Sequence, residues 1–176
     1  QSSYDRIYRA RLNLRELARG VDFVKPILYH DIAGPRIRDY LVERANKHLF
    51  ADTTEQTLLS LFYDIMGYDA SVEPQLDELA GRGLTHDYVR RQVNYFKTAI
   101  GGAAKLYAGI GIDIPKVGFS KGDGGAFVSD PEGVYKSTMA AIESGTDGIL
   151  ISREYGEMRL PSLRAVGRAV KEAGWV

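Results

Sequence analysis

The chain contains no cysteine among its 176 residues. Disulfides, thiolate nucleophiles and cysteine-ligated zinc are therefore excluded, and because any compartment tolerates such a chain, its localisation stays open. An excess of charge of one sign is also missing, since 23 lysines and arginines balance 23 aspartates and glutamates. This balance gives no electrostatic footprint for a nucleic acid or an anionic membrane surface as partner. The sequence has no apolar run near the roughly 20 residues that span a bilayer, so no membrane helix is expected.

The composition that remains is ordinary for a globular protein, with 44% hydrophobic and 26% charged residues. A chain of this length is long enough to bury a sizeable hydrophobic core, and a single domain over residues 1–176 is the default expectation.

The most informative stretch covers residues 146–174. A short apolar run at 149–151 is followed by a charged segment at 153–157 and then by a helical pattern with Pro161 at its start. Proline suits a first helical position, and the apolar residues that follow recur at helical spacing. Strand, charged loop and helix form the repeating unit of parallel α/β proteins, in which function lies in loops at the carboxyl ends of strands. Functional residues are therefore sought near residues 153–157.

The rest of the chain repeats this alternation. Strands are predicted at residues 21–29, 106–114 and 148–152, although Pro26 would normally place the first at a sheet edge or bulge. Helices are predicted at 4–19, from Pro35 to about 49, after Thr53 to about 66, at 74–80, after Thr85 to 100, after Asp130 to 144, and from Pro161 onward. Within this order, residues 51–84 form a helical insertion after the first strand. Such alternation favours parallel strands with right-handed crossovers.

Three parallel strands make a poor isolated sheet, because both edges and both faces need cover. We therefore expect the chain to form part of a larger α/β sheet or barrel and not to act as an autonomous catalytic domain. The further strands would come from the same gene product or from a partner chain.

Three segments carry a family resemblance: VDFVKPILYH at 21–30, LYAGIGIDI at 106–114 and GTDGILISREYGEM at 145–158. They resemble the sixth, seventh and eighth strands of glycosidase-like TIM barrels, a group of hypothetical glycoside hydrolases. The resemblance implies the carboxyl-terminal portion of a (β/α)8 barrel that acts on a saccharide, with its active site at the carboxyl ends of the strands. About five of the eight strands of such a barrel would then be absent, including the fourth, which often supplies the acid/base residue.

Glycoside hydrolysis usually needs two carboxyl groups, of which one protonates the leaving oxygen and the other acts as nucleophile or base. Asp113 lies where many glycosidase barrels place a nucleophile, although that residue is more often glutamate, and Glu154 follows the third strand. Both are predicted catalytic residues. The alternatives are that Asp113 bonds the backbone or an arginine, and that Glu154 pairs with Arg153 or Arg159. Glu157, farther from the strand, is predicted to be either a solvated charge or a charge at a helix start.

Polar and aromatic residues at the same strand ends are predicted to bind the substrate: Tyr29, His30, Asp31, Arg153 and Tyr155. Planar hydrogen-bonding groups suit sugar hydroxyls, and a tyrosine ring can stack on a sugar face. The alternative for His30 is a side chain satisfied by the loop backbone. Since the carboxyl ends of parallel strands face the same side, the catalytic and binding candidates are expected to converge on one rim.

Other readings of the sequence remain open. The glycine-rich loop at 118–125, with Lys121, suggests an anion nest but matches no phosphate-loop spacing, and a substrate-covering loop is favoured. A metal site of His30, Asp31 and Asp113 lacks a spacing motif, so neither metal nor cofactor is predicted. The alternative functions are a non-catalytic carbohydrate-binding or structural barrel module and a phosphate-binding barrel enzyme.

Overall fold

The computed structural model describes residues 12–114, 127–153 and 157–176. Strands and helices alternate along these residues. The strands are β1 (Phe23–Val24), β2 (Lys105–Gly111) and β3 (Gly148–Ser152). The helices are α1 (Leu14–Ala18), α2 (His30–Asp39), α3 (Glu55–Met66), α4 (Leu79–Arg82), α5 (His86–Ile100), α6 (Pro131–Glu143) and α7 (Leu160–Glu172), and a π-helical segment (Tyr40–Asn46) continues α2.

The three strands form one open parallel sheet in the order β1-β2-β3. The prediction of three parallel strands, each followed by a helix, is confirmed. β1 is shorter than the predicted 21–29, since Pro26 lacks the N–H that a regular ladder needs. A bridge between Ile27 and Gly109 nevertheless carries the parallel pairing beyond the proline.

The two faces of the sheet differ in cover. Alternate β2 side chains from Leu106 to Ile110 point into the main hydrophobic core, which the helices complete. The opposite face carries Phe23, Ile27 and Tyr107, and the first two are 46% and 50% exposed. Phe23 and Tyr107 stack on this face with ring centroids 4.9 Å apart. Among the described residues, the sheet is thus packed on one face and open on the other.

Side chains hold the amino end of β2 against the entry to β3. The Thr146 hydroxyl accepts from the N–H of Ala108 at 3.1 Å and donates to the carbonyl of Leu106 at 2.6 Å. Asp147 accepts from the N–H of Leu106 at 2.7 Å. These bonds satisfy backbone groups at the point where the ladder between β2 and β3 begins.

The predicted helical insertion contains α3 and α4. Thr54, one residue after the predicted cap, accepts from the N–H of Thr57 at 3.2 Å, and Gly67 ends α3 in the left-handed conformation with φ 68°. The predicted helix at 74–80 is instead the short α4. Three aromatic side chains of this region are buried in the main hydrophobic core: Phe62, Tyr63 and Tyr68.

Helix α2 begins five residues earlier than the predicted start at Pro35, so that His30 and Asp31 form its first turn and not a loop. Pro35 lies inside the helix, where it removes one backbone hydrogen bond. The first turn is held from outside, because the N–H of Leu84 donates to the carbonyl of His30 at 2.7 Å. Gly83 packs directly on the Asp31 backbone, which places its bare Cα where no side chain would fit.

Candidate functional site at the carboxyl edge of the sheet

Asp113 lies two residues past β2 and is almost completely buried, with a side chain that is 5% exposed. Its Oδ1 accepts from the N–H of Ser129 at 2.9 Å, and its Oδ2 accepts from the N–H of Arg159 at 3.1 Å. The Nε of Arg159 lies 3.0 and 3.1 Å from the two carboxylate oxygens. The backbone of Asp113 has φ 50°, a region that aspartate enters more readily than most residues. Both oxygens of this carboxylate are therefore engaged by the protein.

Further hydrogen bonds extend the Asp113 contacts into a network that joins all three strand ends. The N–H of Asp113 donates to Ser129 Oγ at 2.8 Å, and that hydroxyl donates to Asp31 Oδ2 in the first turn of α2. Arg153, directly after β3, donates from Nη1 to the carbonyl of Asp113. Its Nε lies 2.7 Å from Glu157 Oε2. The segments that follow β1, β2 and β3 thus share one polar network.

The network keeps Asp113 ionised. Burial opposes the charged form, but the hydrogen bonds from Arg159 and from the Ser129 N–H outweigh it, so that the pKa of Asp113 lies below its ordinary value. A carboxylate held in this way contributes stability above its unfolded pKa, and this contribution is lost as the pH falls through its folded pKa.

Replacing Asp113 by asparagine should cost about 1–3 kcal/mol of unfolding free energy near neutral pH, because charge-assisted hydrogen bonds to Arg159 are weakened. The control is Asp52→Asn, since Asp52 is exposed. Urea unfolding monitored by circular dichroism measures both variants. As the pH falls below about 4, the difference between wild type and Asp113→Asn should narrow, because the wild-type carboxylate becomes protonated. If the difference in unfolding free energy between wild type and Asp113→Asn does not change with pH, it does not arise from the charge of the Asp113 carboxylate.

His30 and Asp31 line a cavity of about 320 Å³ beside this network. Its other lining comes from α4, from the starts of α5 and α6, and from the residues before α6. His30 is buried, and its Nδ1 has no hydrogen-bond partner among the described residues. Burial lowers the pKa of His30, although Asp31 and Asp130 oppose this shift, so the imidazole is neutral at pH 7. The cavity is within the size range of small-ligand sites.

Lys25, Tyr29 and Ser152 form a second polar group, on the open face of the sheet. The Nζ of Lys25 donates to Ser152 Oγ and lies 3.4 Å from Tyr29 Oη. Gly109 and Gly111 make room for it: a Cβ on Gly109 would lie 2.6 Å from Lys25 Cε, and one on Gly111 would lie 2.7 Å from Tyr29 Cγ. The two glycines therefore allow both side chains to lie against the sheet.

The structure brings several predicted residues together and divides others. Asp31, Asp113 and Arg153 share the network, whereas His30 faces the cavity and Tyr29 joins Lys25. The predicted residues Glu154 and Tyr155 lie outside the described residues, as does the glycine-rich loop at 118–125.

Sequence reasoning missed three contributors: Lys25, Ser129 and Arg159. A lysine within the apolar run VDFVKPIL was an available signal, since a charge is costly there without a purpose. Ser129 carried no comparable signal, because its contacts depend on tertiary structure. Arg159 was considered only as a partner of Glu154, whereas the structure pairs it with Asp113.

Comparisons with family models, curated proteins and solved structures give no match, so they assign no family. In the described parts of the chain, no group of three histidine, aspartate or glutamate side chains is placed to hold a metal ion. Across the same residues, no helix combines the length and apolarity needed to cross a membrane.

Proposed function

We propose that this chain is part of a glycoside hydrolase whose saccharide binds at the carboxyl edge of the sheet. The observation that carries the proposal is the shared network at that edge, in which Asp31, Asp113 and Arg153 follow three different parallel strands. Carboxylates, hydroxyls and cations gathered at this edge match the needs of sugar recognition. The resemblance of the three strand segments to glycosidase-like barrels supports the same reaction class.

The open sheet supports a barrel as the complete architecture. β1 and β3 are the two edges of the described sheet, and its apolar face at Phe23 and Ile27 lacks cover. Further strands, from the same gene product or from a partner chain, would pair with these edges and cover that face. The residue that protonates the leaving oxygen would lie on those strands.

In the proposed reaction Glu154 acts as nucleophile or base, because it directly follows Arg153, whose guanidinium is anchored on the Asp113 carbonyl. As nucleophile, its carboxylate would form a bond to the anomeric carbon while the bond from that carbon to the leaving oxygen breaks. The acid residue gives its proton to this oxygen, and water then hydrolyses the glycosyl ester. Asp113, with both oxygens engaged, would position Arg159 and the following segment.

Non-catalytic saccharide binding is the second candidate. It is favoured by the engagement of two buried carboxylates of the network: Asp113 is held by Arg159, and Asp31 accepts from Ser129 and from the N–H of Ile32 at 2.7 Å. In a binding module, such carboxylates would orient other groups without reacting.

Incubating the full-length gene product that contains this chain with a panel of aryl glycosides and oligosaccharides tests the proposal. We expect release of the aryl group or of new reducing ends from at least one substrate. Saccharide binding by calorimetry without turnover would select the binding module, and neither binding nor turnover across the panel would overturn both candidates.

A further inference from the structure

Lys25 is a half-buried cation whose partners among the described residues are neutral. Its Nζ contacts the hydroxyls of Tyr29 and Ser152, and it lies 5.7 Å from the centre of the Tyr29 ring. No carboxylate in the described ranges is within ion-pair distance of it. A lysine removed from much of its water without an opposite charge is costly unless another group supplies that charge.

The described carboxylates near this edge of the sheet do not pair with Lys25, because they pair with other cations. Asp113 is bound by Arg159, and Glu157 is bound by Arg153. Among the described residues, Arg153 and Arg159 are thus paired with carboxylates, whereas Lys25 on the open face is not. Within the described ranges, this division of charge leaves the Lys25 ammonium available to an incoming anion.

The site around Lys25 has a defined shape. Gly109 and Gly111 leave no side chains beneath Lys25 and Tyr29, and a Cβ on either glycine would collide with them. Ser152, at the end of β3, accepts a hydrogen bond from the ammonium of Lys25, which directly follows β1 at the other edge of the sheet. The group spans all three strands on the open face and lies at their carboxyl ends, where ligands of parallel sheets bind.

We propose that Lys25, with Tyr29 and Ser152, forms a subsite for a carboxylate group of an acidic saccharide, such as a uronic acid unit. The proposal rests on the proposed saccharide function and adds the class of substrate. One ammonium matches one carboxylate in charge, whereas a phosphate monoester carries about two charges near neutral pH. The two hydroxyls can exchange hydrogen bonds with the sugar, and the tyrosine ring offers an apolar surface.

Binding of methyl glucuronide and methyl glucoside to the full-length gene product, measured by calorimetry, tests this subsite. We expect the glucuronide to bind roughly tenfold more tightly or better, because a charge-assisted hydrogen bond is lost with the neutral sugar. Lys25→Met should abolish the preference and Lys25→Arg should retain most of it. Lys105→Met is the matched control, since Lys105 lies on the same sheet face at the amino end of β2 and is exposed.

A measurement on the wild-type protein keeps the test valid if Lys25→Met does not fold. The lysine side-chain carbons are labelled with ¹³C, and the Lys25 resonance is assigned by its absence from Lys25→Arg. It should shift with the glucuronide and stay in place with the glucoside.

Equal affinity for the two glycosides, or a preference that survives Lys25→Met, overturns the subsite, and the saccharide function stands if sugars still bind or turn over. Failure of the saccharide function with an intact carboxylate site gives a different result. If the whole saccharide panel, including both glycosides, shows neither binding nor turnover but sodium acetate shifts the Lys25 resonance, the carboxylate site is supported and the saccharide function fails.

Discussion

Gly83→Ala is expected to lower the unfolding free energy by about 3 kcal/mol or more, or to prevent folding. Gly83 has φ 70° and ψ −164°, a combination that residues with a Cβ almost never adopt. An added Cβ would also lie 2.3 Å from the carbonyl oxygen and 2.5 Å from the Cα of Asp31. These are backbone atoms of the first turn of α2, so no side-chain rotation relieves the contact.

Gly81→Ala is the matched control, because Gly81 lies two residues earlier, in α4, with open space around the position of a Cβ. Alanine there should be neutral or stabilising by about 0.5–1 kcal/mol, as in an exposed helix. Guanidinium unfolding monitored by circular dichroism compares the two variants. Similar midpoints for Gly83→Ala and Gly81→Ala would show that the contact between Gly83 and Asp31 is not formed.

Glu154→Gln in the full-length gene product is expected to lower turnover of an aryl glycoside by about three orders of magnitude or more, with little change in thermal stability. Glutamine has nearly the same shape but cannot attack the anomeric carbon or accept a proton from water. The measurement is kcat and KM on the best substrate found, together with the melting temperature. The expected loss lies in kcat, because the variant leaves the proposed sugar contacts of the other site residues in place.

Glu157→Gln is the control for this variant, since Glu157 is 49% exposed and pairs with Arg153. It should reduce activity only modestly, as an exposed ion pair is worth little. Asp113→Asn should lower stability, as described above. If Asp113→Asn loses turnover as severely as a nucleophile variant while Glu154→Gln stays active, the assignment of the two carboxylates must be exchanged.

Local signals predicted much of the fold. Thr85 and Asp130 cap α5 and α6 as the sequence indicated, because a side-chain oxygen before a helix accepts from its first free N–H groups. The apolar runs of β2 and β3 predicted parallel strands, since both faces of such strands need cover. The start of α2 was misplaced because Pro35 suits a first helical position, whereas packing of Gly83 and the bond from Leu84 hold an earlier turn.

The candidate site was predictable only in its location. Strand ends identified Asp31, Asp113 and Arg153, since parallel strands place their carboxyl ends on one edge. The partners of these residues were not predictable, because Ser129 and Arg159 reach Asp113 across 16 and 46 positions of the chain. Spacing in sequence carries no information about such contacts. The sequence also could not predict which face of the sheet is open, since this depends on which strand residues the helices cover.

The side-chain bonds of Thr146 and Asp147 fix which β3 residue lies opposite each residue of β2. A shift of β3 by one residue would turn every side chain of the strand to the other face. Ser152 would then leave Lys25 and enter the core, and Ile151 would take its place on the open face. The Thr146 hydroxyl and the Asp147 carboxylate, at the entry to β3, therefore set the strand register that places Ser152 beside Lys25 at the other end of the strand.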